Sequence, residues 1–65
     1  SMNYVLIWLL VIVGTDGGES EHSRKLEYRS IFDCDKIATQ INGQGIQTGY
    51  CEATAKTRSE AAAIK

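Results

Sequence analysis

The feature that most limits what this chain can become is Tyr4-Val5-Leu6-Ile7-Trp8-Leu9-Leu10-Val11-Ile12-Val13, ten consecutive apolar or aromatic residues. A bilayer-spanning helix needs about 20 such residues, so the run is too short by half to cross a membrane. It has the length of a secretory signal's apolar core. However, no Lys or Arg precedes it, and Gly14-Thr15-Asp16-Gly17-Gly18-Glu19-Ser20 offers no Ala-x-Ala-like cleavage site. β-Branched and aromatic residues dominate the run and a glycine-rich turn ends it, which predicts a strand buried on both faces.

The following segments are patterned differently. In Ser23–Phe32, Leu26, Tyr28 and Phe32 supply the apolar positions while Lys25, Glu27 and Arg29 take the alternate ones. That period of two predicts a half-buried strand, joined to the first as a hairpin through Gly14–Ser20. Asp33 stands as a helix N-cap with Asp35 adding negative charge in the first turn. Cys34, Ile37, Ala38 and Ile41 then fall on one helical face, and Asn42-Gly43 supplies the stop. A third strand is expected over Gly45–Ala55. Ile46, Thr48, Tyr50, Glu52 and Thr54 lie on one face of it, and the small residues of the other face, Gly49, Cys51 and Ala53, let the helix approach. The tail Arg58–Lys65 has high helix propensity and is expected either to fray or to form a brief helix docked on a partner. Ser1 ahead of Met2 reads as a tag remnant.

These elements make a small α+β domain over residues 2–56, a ββαβ unit, with residues 57–65 as a short helical or frayed tail. Its three-stranded sheet has the first strand central, antiparallel to both neighbours, and one helix on one face. The central position accounts for its being the one segment apolar on both sides. One short helix covers either Tyr4, Leu6, Trp8, Leu10 and Ile12 or Val5, Ile7, Leu9, Val11 and Val13, not both. An exposed stripe of five large side chains is rare on a soluble monomer. The expectation is therefore a homodimer, or a larger homo-oligomer, closed through the open sheet face; the alternative is a monomer with that face shielded by the tail. With 65 residues the chain has little core of its own, which points the same way.

Charge and composition remove other readings. Seven Lys and Arg against eight Asp and Glu give a net charge of −1, without the basic excess of a duplex-nucleic-acid or membrane-surface binder. Two cysteines and one histidine make neither a disulfide scaffold nor a metal cluster, so no metal and no cofactor is expected. Cys34 and Cys51 both point into the helix–sheet core. A disulfide there is geometrically open, but without a secretion signal reduced thiols are favoured. His22 lies near Glu19, Glu21, Ser20 and Ser23 at the hairpin edge, with no oxyanion hole or rigid support, so the chain is read as non-enzymatic. At the edges of a dimer seam, Lys25, Glu27 and Arg29 flank the apolar stripe on one side and Thr48, Tyr50 and Glu52 on the other. Such a rim suits a planar anionic ligand, with aromatics stacking a base and guanidinium groups gripping phosphate. The residues assigned to it are Trp8, Arg24, Lys25, Tyr28, Arg29, Thr48 and Tyr50. An ordinary polar rim around a dimer core is the alternative account of the same residues.

A first strand rich in Val, Leu, Ile and Trp, then Phe32-Asp33-x-x-Lys36 opening a short helix, then a strand with Tyr50-Cys51, resembles tiny phage-encoded accessory proteins over about Tyr4 to Lys56. The resemblance implies an anti-defence role in the host cytoplasm. One class of such proteins consists of oligomeric sponges that sequester nucleotide immune signals in intersubunit pockets. The expected function is thus sequestration of a nucleotide-derived signal. The alternative is a protein–protein inhibitor or assembly element that uses its apolar face or edge strands. A third reading is a secreted protein with a Cys34–Cys51 disulfide.

Overall fold

The apolar run forms the middle strand of a three-stranded sheet in the computed structural model, which describes residues 3–15 and 21–64. The elements are β1 (Tyr4–Thr15), β2 (Glu21–Tyr28), α1 (Ile31–Gln44), β3 (Thr48–Thr57) and α2 (Arg58–Ala62). Sheet order is β2-β1-β3, and both outer strands run antiparallel to β1. The expected small α+β architecture, with the first strand central, is the one observed.

The main core lies between β1 and α1. Leu10 and Ile12 are buried against Cys34 and Ala38, with Trp8, Tyr28, Ile37, Ile41 and Cys51 packed around them. Gly49 lies directly opposite Ile12 on β3. A Cβ added there would sit 3.4 Å from the Ala38 Cα, so a residue without a side chain lets α1 close onto the sheet. The helical face and the small-residue face of β3 are therefore those read from the sequence.

Several boundaries differ from expectation. The second strand stops at Tyr28 rather than Phe32, because Ser30 caps α1: its hydroxyl accepts from the Phe32 N–H at 3.1 Å. Asp33 thus stands in the first helical turn instead of capping it. At the other end α1 continues past Asn42-Gly43 to Gln44, and Gly45 closes it in the left-handed conformation, φ 74°. Asn42 does not stop the helix. Its side-chain amide donates to the Gly49 carbonyl at 2.9 Å and accepts from the Gly49 N–H at 2.8 Å, holding the helix end to the start of β3. The third strand consequently begins at Thr48 and reaches Thr57. Asp16–Ser20 of the expected hairpin loop lie outside the described residues.

Two further expectations are corrected. Cys34 and Cys51 are joined in a disulfide rather than kept as thiols, a pairing allowed by Cα atoms 6.1 Å apart between facing positions of α1 and β3. The tail forms a brief helix that packs on its own sheet. Thr57 forms a capping box with Glu60, and α2 returns against β1 and β3 and buries Ala61.

The sheet face turned away from α1 is also not the open apolar stripe expected. Ile7 and Val11 are only 1% and 4% exposed, and Val5, Leu9 and Val13 are half-buried. The exposed apolar side chains of β1 are instead Tyr4, at 65%, and Leu6, at 60%, on the α1 side of the sheet. The cause is a mismatch of length. Twelve strand residues extend about 40 Å, whereas fourteen helical residues extend about 21 Å, so α1 runs out before the first residues of β1 are covered.

Candidate functional site

The same mismatch affects pairing. β2 has eight residues and ends at Tyr28 opposite Trp8, whereas β3 continues along β1 as far as Thr57 opposite Tyr4. On the β2 side, none of the described residues pairs with Tyr4–Ile7.

Backbone direction along this segment follows from the ladder. The Arg58 N–H donates to the Asn3 carbonyl at 2.9 Å, extending the β1–β3 pairing by one rung. In an antiparallel pair, hydrogen-bonded and non-bonded positions alternate. Asn3, Val5 and Ile7 therefore turn their backbone groups toward β3, and Tyr4 and Leu6 turn theirs toward the vacant side. The Asn42 contact agrees with this parity, since it takes the outward-facing groups of Gly49, opposite Ile12. Tyr4 and Leu6 thus offer two N–H donors, two carbonyl acceptors and two exposed apolar side chains in one short edge.

The outer edge of β3 is guarded at its two ends. The outer edge of β3 is occupied at one end by the Asn42 amide, and at the other by Glu60, whose carboxylate accepts from the Thr57 N–H at 3.1 Å. The outer strand β2 carries His22, Arg24, Lys25 and Glu27, charges and polar groups of the kind that discourage edge-to-edge pairing. Tyr4–Ile7 carries no charge. A surface hollow of about 380 Å³, lined by Asn3, Thr57, Arg58 and Ser59, opens at the same end of the sheet.

The residues assigned to a ligand seam are not brought together. Trp8, Tyr28 and Arg24 lie on the α1 side, where Tyr28 pairs with Trp8 and Arg24 with Ile12. Lys25, Thr48 and Tyr50 lie on the opposite face, and Lys25 and Tyr50 flank Val11 from either side. Arg29 belongs to the bend after β2 and to neither face. Glu27 and Glu52 flank Leu9, one row along from Lys25 and Tyr50. His22 and Ser23, being consecutive on β2, point to opposite faces, and Glu19 and Ser20 lie outside the described residues. Among the described residues, no polar side chain is buried and no group of three His, Cys, Asp or Glu could hold a metal ion. No helix is long and apolar enough to cross a membrane.

Tyr4 and Leu6 were absent from the seam read in the sequence, which treated every β1 position as covered or dimerised. The signal available was arithmetic: a strand residue advances more than twice as far as a helical one. Comparison with known proteins adds nothing to this geometry, since no protein-family model, no curated protein and no solved structure matches the chain.

Proposed function

We propose that this chain is a non-enzymatic protein-binding or assembly element that accepts an extended segment along the free edge of β1. The observation that carries the reading is the coincidence, at Tyr4 and Leu6, of backbone groups with no partner among the described residues and exposed apolar side chains. In strand addition, backbone hydrogen bonds give affinity and alternate side chains give specificity. Each new hydrogen bond contributes about 1 kcal/mol net, and covering a Tyr or Leu side chain contributes about 1.5–3 kcal/mol when complete. A capped peptide of alternating Val and Thr serves as the probe. Adding it should shift the Tyr4 and Leu6 amide resonances and slow their exchange with solvent; unchanged Tyr4 and Leu6 signals at saturating peptide would overturn the reading.

Nucleotide sequestration is the second reading. It is supported by Lys25 and Tyr50 on one face on either side of Val11, a cation and an aromatic side chain with Thr48 adjacent along β3. It would require a second subunit to enclose the ligand, and a thermal shift with cyclic or short linear nucleotides tests it. The two readings also differ in compartment. A persistent Cys34–Cys51 bridge belongs to oxidising surroundings, whereas a cytoplasmic sponge would hold both thiols reduced. Alkylation of the chain in intact cells, followed by mass measurement, separates them.

A further inference from the structure

We propose that Asn42 is a site of spontaneous covalent modification: deamidation by the Gly43 backbone nitrogen, held off by the Gly49 contacts and released when the Cys34–Cys51 bridge is reduced. Asn42-Gly43 reads as a helix stop in the sequence, yet α1 runs through it. Gly45 takes the left-handed conformation that ends the helix, and Gly43 does not. A Cβ at Gly43 would meet nothing within 4 Å. Neither backbone geometry nor close packing therefore calls for glycine at this position, where it weakens the helix. What the glycine does provide is chemical. With no Cβ on the following residue, the backbone nitrogen has open access to the Asn42 side-chain carbonyl carbon.

The step needs only the chain and water. The Gly43 nitrogen bonds to Asn42 Cγ, closing a cyclic imide, and the Cγ–Nδ2 bond breaks. Nδ2 departs as ammonia, carrying the proton lost from the Gly43 nitrogen. Water then opens the imide at either carbonyl, leaving an aspartate, or an isoaspartate whose main chain runs through Cγ. Solvent reaches the site, since Asn42 and Gly43 are both exposed.

The fold opposes the ring closure. Within α1 the Gly43 N–H belongs to the helical ladder, directed at the carbonyl four residues back. The Asn42 side-chain amide is engaged on β3, through both of its contacts with Gly49. Attack therefore requires the end of α1 to lift from β3. The bridge ties the same two elements, with Cys51 on the same strand as Gly49, and limits that opening. Once formed, the product does not refasten. A carboxylate has no donor for the Gly49 carbonyl, and it adds negative charge to a helix end whose last turn holds no basic residue. Reoxidation can remake the bridge but not the amide, so one period of reduction leaves a permanent mark on the α1–β3 contact.

Incubation of the full chain at mildly alkaline pH, followed by peptide mapping with mass spectrometry, tests the proposal. Conversion at Asn42 should be slow in the oxidised chain. With reductant it should accelerate by up to about a hundredfold, the factor by which losing a cross-link of this loop length favours opened states. In reductant with guanidinium chloride it should be at least as fast. A Cys34→Ala, Cys51→Ala chain without reductant should match the reduced protein. Asn3 precedes the bulky Tyr4 and should stay largely intact throughout. Gly43→Ala fills empty space and should slow conversion even in guanidinium chloride, where helix stability has no influence. Equal rates at Asn42 with and without reductant overturn the proposal, as does a Cys34→Ala, Cys51→Ala chain that converts at the oxidised rate. An Asn42 that stays intact in denaturant, or a Gly43→Ala chain that converts there as fast as the parent, overturns attack by the Gly43 nitrogen and with it the site.

Discussion

Lys56 Nζ lies 3.2 Å from Glu27 Oε2, and the pair ties the two outer strands together across the one between them. Lys56 stands opposite Val5 on β3 and Glu27 opposite Leu9 on β2, so the side chain lying between their rows is Ile7. Ile7 is among the most deeply buried residues of the protein, on the face that α1 does not cover. An ion pair with a long aliphatic stem thus serves, together with α2, as part of the cover for a sheet too small to have a second full layer.

The charge and the stem are separable. Both groups are more than a third exposed, so removing the charge in Lys56→Met should cost no more than about 0.2–1 kcal/mol. Lys56→Ala, which removes the stem as well, should cost more and should raise exchange at the Ile7 amide. Urea unfolding of the two variants at low and high salt checks this; equal losses would show that the stem covers nothing.

Reduction of Cys34–Cys51 should lower stability by roughly 3 kcal/mol, the chain-entropy value for a loop near the 17-residue separation of this pair. In a chain of 65 residues that is a large share of the total. Denaturant midpoints with and without reductant measure it. A double Cys34→Ala, Cys51→Ala variant as stable as the oxidised protein would contradict the expectation.

Asn42→Ala should cost about 1–2 kcal/mol, because it removes both hydrogen bonds to Gly49 and leaves a part-buried N–H and C=O to find water. Asn42→Asp keeps the acceptor for the Gly49 N–H but sets an acceptor against the Gly49 carbonyl, so it should recover only part of the loss. The readout is amide exchange at Gly49, slow in the parent, fast in Asn42→Ala and intermediate in Asn42→Asp.

Acid should loosen α2 before the sheet. The Thr57 hydroxyl donates to Glu60 at 2.8 Å, and with the Thr57 N–H and the nearby Lys56 it holds the Glu60 carboxyl below the usual carboxylate range. A carboxyl with a lowered folded-state pKa contributes stability that is complete above its unfolded pKa and is lost as pH falls through the folded value. Exchange at Ala61 should therefore rise on acidification, and Glu60→Gln should abolish that dependence. Thr57→Ala should weaken α2 at neutral pH by about 1 kcal/mol, the usual cost of losing an N-cap.

Alternation made the sheet legible from sequence. Ten apolar residues in one strand can be satisfied only at the centre, and period two in both neighbours assigns Gly49, Cys51 and Ala53 to the helix side and Lys25, Tyr50 and Glu52 to the other. Boundaries were less legible because capping residues compete. Ser30 and Asp33 both suit an N-cap, and which one wins depends on where β2 stops pairing with β1. The function of Asn42 was hidden for a related reason: its side chain reaches a strand whose position no local pattern reveals. Tyr4 and Leu6 look like core by composition, and only the relative lengths of α1, β2 and β1 make them surface.

The bridge between Cys34 and Cys51 encloses the turn at Gly45–Gln47 within a covalent ring, with the Asn42–Gly49 rungs inside it. A protease that cuts this turn opens the ring without releasing either piece. The product gains the mass of one water and remains a single molecule, with α1 and β3 still tied to each other, and it separates into two fragments only when the bridge is reduced. Whether a cut at this turn separates the chain into two pieces is therefore governed by thiol chemistry at one sulfur pair rather than by the exposure of the turn.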